Sequence, residues 1–111
     1  MMKFAIPLAN GRLTAHFGHC QELALINVEN NQIINNEFFL PPPHEPGVLP
    51  NWLNDLGTDV VIAGGMGQRA VDLLKEKGIK VITGAPEIEP ETLVTKYLDN
   101  TLMTGANVCD H

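Results

Sequence analysis

From residue 49 onward the chain alternates between amphipathic helical stretches and short β-branched runs, and few folds accommodate that pattern. Leu49, Trp52, Leu53 and Leu56 fall on one face of a helix, and Gly57 ends it. Asp59-Val60-Val61-Ile62-Ala63 reads as a strand buried on both faces, as parallel strands are. Gly64-Gly65-Met66-Gly67 leads into a helix over residues 68–77, with Ala70, Val71, Leu73 and Leu74 on one side and Gly78 at its close. Ile79-Lys80-Val81-Ile82 is the next strand. Pro90 suits a first helical turn, and Leu93, Val94, Tyr97 and Leu98 give a third amphipathic helix. Strands separated by helices in this way run parallel and are joined by right-handed crossovers. The tail, residues 101–111, shows no regular pattern.

The first half has a different character. Residues 3–8 read as a strand followed by the turn dipeptide Asn10-Gly11. Residues 22–28 and 32–40 are two more strands, joined through Glu29-Asn30-Asn31 as an antiparallel hairpin. Pro41-Pro42-Pro43-His44-Glu45-Pro46-Gly47 then separates the halves, since consecutive prolines fit neither a helix interior nor a central strand. The predicted architecture is an α/β domain covering residues 1–111, a mixed five-stranded sheet with helices on both faces. Its strand order is 3-2-1-4-5, with strand 2 antiparallel to the rest. Strands 1 and 4 are then parallel neighbours whose chain continuations diverge. Open α/β sheets bind ligands at such a switch point, beyond the carboxyl ends of the strands. Residues 9–20 and 64–67 meet there.

Bulk properties narrow the function classes. Hydrophobic residues make up 44% of the 111, enough for a core and against disorder. The net charge is −6, and the seven basic residues are scattered, so neither a nucleic-acid footprint nor an anionic membrane surface is expected as a partner. No stretch approaches the ~20 apolar residues of a membrane helix, and no signal peptide is legible. The expected location is cytoplasmic, with Cys20 and Cys109 as reduced thiols.

Three stretches could carry chemistry. His16-Phe17-Gly18-His19-Cys20 places two imidazoles and a thiol within five residues, donors suited to soft or borderline metals. Gly18 suggests a backbone that something approaches closely. The same residues also suit a buried cysteine beside a turn-capping histidine. Gly64-Gly65-Met66-Gly67, opening a helix after a buried strand, offers free backbone N–H groups and the positive end of a helix dipole to an anion. Arg69 adds a charge on the first turn. A tight strand-to-helix turn would use the same glycines. No Gly-Lys-Ser/Thr follows, and the dinucleotide pattern lacks its third glycine. Cys109 and His111 in the tail could add two metal donors, or could belong to a frayed end. The chain has no serine, hence no nucleophile elbow, and no His-Glu-x-x-His, so a binding protein is expected rather than an enzyme.

Taken together, the opening strand, the His16–Cys20 loop, the strand and glycine turn over residues 59–67 and the Cys–His ending resemble the nitrogenase iron–molybdenum cofactor accessory family. This is the group containing NifX, the NafY core and the carboxy-terminal region of NifB. The resemblance spans nearly the whole chain. It implies a ribonuclease-H-like, three-layer α/β/α fold and a role in binding or carrying a metal–sulfur cluster, either the iron–molybdenum cofactor, a precursor, or a related molybdenum–copper sulfide. It implies that His16, His19 and Cys20 face or ligate the cluster, with Cys109 and His111 as further donors. Gly18, Gly64, Gly65, Met66, Gly67 and Arg69 would cradle the anionic sulfides. Donor or acceptor proteins are the implied partners, and the chain is expected to be a monomer or weak homodimer. A regulatory module that binds a small anion or nucleotide at residues 64–67, and a simple zinc site, are the alternatives.

Overall fold

β1 (Met2–Ala9) is the central strand of a mixed sheet, as its apolar, nearly fully buried sequence requires. A computed structural model describes residues 2–17, 20–42 and 47–105. The remaining elements are β2 (Arg12–Leu13), β3 (Glu22–Glu29), β4 (Gln32–Phe39), α1 (Val48–Asp55), β5 (Val60–Ile62), α2 (Gln68–Glu76), β6 (Lys80–Ile82) and α3 (Pro90–Leu98). The sheet order is β4-β3-β1-β5-β6, with β2 paired to β1 off this path. β3 runs antiparallel to both β1 and β4, whereas β1, β5 and β6 are mutually parallel. This is the order expected from the sequence.

Two Asn-containing turns set the antiparallel half. Asn10 and Gly11 both have positive φ, at 57° and 80°, as do Asn30 and Asn31, at 54° and 60°. Consecutive left-handed residues make the two-residue hairpin loop whose twist matches that of the strands. The first of these turns folds Leu13 opposite Leu8 and Arg12 opposite Ala9. The resulting two-residue strand was not anticipated, because two residues carry no periodicity to read.

The layers follow from alternation. Phe4, Ile6 and Leu8 of β1 join Ala24 and Ile26 of β3 and Leu93 and Val94 of α3 in one core. The Phe4 and Tyr97 rings meet edge to face, 5.3 Å apart, where the quadrupoles attract. On the other face Ala5, Leu25 and Val61 pack against Leu49 and Leu53 of α1 and Val71 and Leu74 of α2. Helices therefore cover both faces, α3 on one and α1 with α2 on the other. No helix of the described residues is long and apolar enough to cross a membrane.

The described tail has no regular structure but is tied down. Leu102 packs on the α3-side core, and the Gly105 N–H donates to the Gly84 carbonyl at 2.7 Å. Gly84 has φ +76°, and a Cβ there would collide with the Gly105 carbonyl. Only glycine allows that crossing.

Candidate functional site

β1 and β5 are parallel neighbours, Phe4 opposite Val60 and Ala5 opposite Val61. Beyond their carboxyl ends the two loops continue the pairing. His16 forms a parallel bridge with Gly65, and the Phe17 N–H donates to the Gly65 carbonyl at 2.8 Å. Gly64 is buried, and its own backbone is ordinary. A Cβ added there would lie 2.9 Å from the Thr14 carbonyl oxygen and 3.2 Å from Ala15 Cα. Gly64 is thus glycine because the first loop presses on it, a steric reason that the anion reading of this turn did not supply.

The first loop is held at several points. Thr14 N–H donates to the Pro7 carbonyl at 3.0 Å, and Gln21 N–H to that of Leu8 at 2.7 Å. The His16 N–H donates to Thr14 Oγ1 at 3.4 Å, a local turn that fixes the backbone carrying the imidazole. Phe17 is buried in the core against α1 and α2, while the neighbouring His16 is exposed. An apolar anchor beside an exposed donor positions that donor on rigid backbone. Cys20 is a free, half-buried thiol. Burial pushes its pKa up, partly offset by a backbone hydrogen bond, so the neutral thiol is favoured. Metal ligation by Cys20 must therefore release a proton.

The second loop opens α2. Gly67, its cap, has φ −63° and ψ 149° and offers no side-chain hydrogen bond. The first turn of α2 holds no acidic residue, and the first N–H groups of any helix lack intrahelical partners. The space beside Gly67 is open, with nothing within 4 Å of a built Cβ, so a ligand can approach the helix end. Gln68 and Arg69 are exposed there. α3 differs, with Glu89 at its cap and Glu91 in its first turn countering its dipole. α1, like α2, has no acid in its first turn, but only the start of α2 follows the turn that pairs with the first loop.

The structure therefore brings together His16, Gly64, Gly65, Gly67 and Arg69 at one end of the sheet, with Cys20 at the end of the same loop. Met66 is also in this turn, but its side chain is buried in the core at 1% exposure and presents no thioether outward. Gly18, His19, Cys109 and His111, expected at the site, and His44 lie outside the described residues. Among the described residues no three His, Cys, Asp or Glu side chains gather as a metal site. Two contributors escaped the sequence reading. Arg12 lines, with Thr14, Ala15 and Glu87, a cleft of about 670 Å³ along the start of the first loop. Gly84 donates its N–H to the Gly64 carbonyl at 2.6 Å and receives that of Gly105, so the described tail ends next to the glycine turn. No local sequence signal announced that contact.

Comparison with known proteins identifies the family and the fold. The profile of the family described as dinitrogenase iron-molybdenum cofactor matches residues 1–100. An uncharacterized protein of Methanocaldococcus jannaschii, MJ0580, is 30% identical over 86 residues, 73% of each chain. The crystal structure of PH0822 superposes with a TM-score of 0.86 at 27% identity, over 96% of both chains. The apo form of the orange protein from Desulfovibrio gigas has the same fold, with a TM-score of 0.77 at 20% identity, covering 96% of this chain and 95% of that one.

Proposed function

Because the chain belongs to the dinitrogenase iron-molybdenum cofactor family, whose role is accessory to that cofactor, we propose that it binds and carries an anionic metal–sulfur cluster at the end of β1 and β5. The observation that carries this reading is the paired loop structure. An exposed His16 is held by the Thr14 turn directly beside the acid-free start of α2. A sulfide-rich cluster presents diffuse negative charge and a few open metal positions. Backbone N–H groups and Arg69 suit the sulfides, and His16 and Cys20 suit the metal. The open space at Gly67 lets a bulky cargo reach those amides. His19, Cys109 and His111 are proposed as additional donors.

The test is anaerobic reconstitution of the protein with iron, sulfide and molybdate, and separately with thiomolybdate and copper. Bound metal and visible absorption are then recorded. Stoichiometric metal with a visible chromophore, lost in His16→Ala and in Cys20→Ala, is the expected result. Full uptake by both variants would refute the site assignment. Colourless, metal-free protein under every condition would replace the carrier reading with a small anion bound at residues 64–67, and zinc without a chromophore with a simple zinc site.

A further inference from the structure

We propose that β4 is a pairing edge, through which two copies of this chain join antiparallel into one continuous sheet with Asn36 on the two-fold axis. The path of the sheet has two ends. At one, β6 is three residues long, and the tail returns beside it through Leu102 and the Gly105–Gly84 bond. At the other, β4 is eight residues long and, among the described residues, pairs only with β3. An edge of that length presents a row of backbone donors and acceptors to any strand that approaches.

Part of the usual edge protection is missing from β4, which keeps one charge and one bulge. It contains no proline and no lysine, and its one charged residue is Glu37, whose carboxylate accepts from Asn27 Nδ2 at 3.1 Å. Its register against β3 shifts by one near Ile34, which leaves residues 35–39 in regular pairing. Large apolar side chains stand exposed on it, Ile34 at 50% and Phe38 at 54%, and just past its end, Leu40 at 82%.

What selects a second copy is the symmetry of the sequence about Asn36. A two-fold axis through that residue sets Ile34 opposite Phe38 of the second copy, twice, and Asn35 opposite Glu37, twice. Apolar side chains meet apolar ones, and each carboxylate meets an amide that can donate to it. Moving the axis one residue toward Glu37 would stack Glu37 on its own copy, a like-charge contact that destabilises strand pairing, and moving it one residue toward Asn35 would set Ile34 opposite Asn36 and Ile33 opposite Glu37, which breaks the apolar match. Charge and polarity thus choose both the partner and the register. One strand pair buries little area, so the association belongs to the weak class. Antiparallel joining directs the two β1 ends in opposite directions, so the two switch points are remote from each other and act independently.

The experiment is sedimentation equilibrium of the intact chain over two decades of concentration from about 5 µM, the range suited to a weak interface. The expected result is a concentration-dependent rise toward twice the 12.1 kDa chain mass. Phe38→Lys and Asn36→Pro should each weaken the association at least tenfold, and Phe38→Lys should leave the unfolding midpoint of the dilute protein unchanged. Glu37→Gln should not strengthen it. A monomer mass at every concentration would overturn the proposal and leave the edge to an extended segment of another protein. A dimer indifferent to both Phe38→Lys and Asn36→Pro would place the contact on another face. A dimer tightened by Glu37→Gln would overturn the register.

Discussion

The tightest constraint at the candidate site is steric and can be tested without any ligand. In Gly64→Ala the new Cβ lies 2.9 Å from the Thr14 carbonyl oxygen, 3.2 Å from Ala15 Cα and 3.4 Å from the Ala15 carbonyl oxygen. All three neighbours are backbone atoms, so no side chain can swing aside. Restoring ordinary contact requires the loop to retreat by about half an ångström, which would open the 2.8 Å Phe17–Gly65 hydrogen bond past its normal range. Overpacking of this kind costs ~1–3 kcal/mol. The weakened bond adds ~1 kcal/mol, and the stiffer unfolded chain returns ~0.4–1 kcal/mol. The net expectation is a loss of ~2 kcal/mol, a fall of roughly 8 °C in Tm for a domain of this size. Gly67→Ala is the control. Nothing lies within 4 Å of its built Cβ, and φ −63°, ψ 149° is open to any residue, so its effect should stay within about 0.5 kcal/mol. Urea and thermal unfolding followed by circular dichroism measure both. A Gly64→Ala protein as stable as wild type would show that the first loop does not press on the glycine turn after β5, and the paired-loop site would fall with it.

Gly84→Ala should cost ~1–2 kcal/mol, because φ +76° is strained for alanine and the Cβ meets the tail. It should also speed amide exchange at Gly105, whose N–H would lose the Gly84 carbonyl, and unchanged protection there would contradict the tie. For Cys20, burial raises the pKa, so the reactive thiolate is scarce at neutral pH. Alkylation of a Cys109→Ala protein by iodoacetamide should rise about tenfold per pH unit from pH 7 to 8, since the thiolate fraction does. A flat profile would mean the thiolate already predominates.

The sheet was legible because its signals are local or repeat along the chain. The Asn30-Asn31 turn dictates the β3–β4 hairpin, and the β-branched run at Val60-Val61-Ile62 can only be a buried strand. What escaped was short or long-range. β2 spans two residues, and although Asn10-Gly11 was read as a turn, the strand beyond it offered no pattern. The Gly64 contact with Thr14 and Ala15, and the Gly84 contact with Gly105, join residues far apart in the chain. Glycine marks such approaches but does not name its partner. At the site, sequence located both loops through the switch-point rule, and it could not tell that Phe17 anchors one while Met66 turns inward from the other. Side-chain direction in irregular backbone follows from packing, which no spacing encodes.

The short β1–β5 pairing is the joint between a hairpin-built half and a helix-and-strand half of the molecule. Its ladder is brief, and it is extended at one end by the His16–Gly65 bridge. A ligand gripping both loops would act as a clasp on that joint. Loading should then slow amide exchange most at Phe17 and Gly65, and release should follow the breathing of the joint rather than the movement of any whole domain.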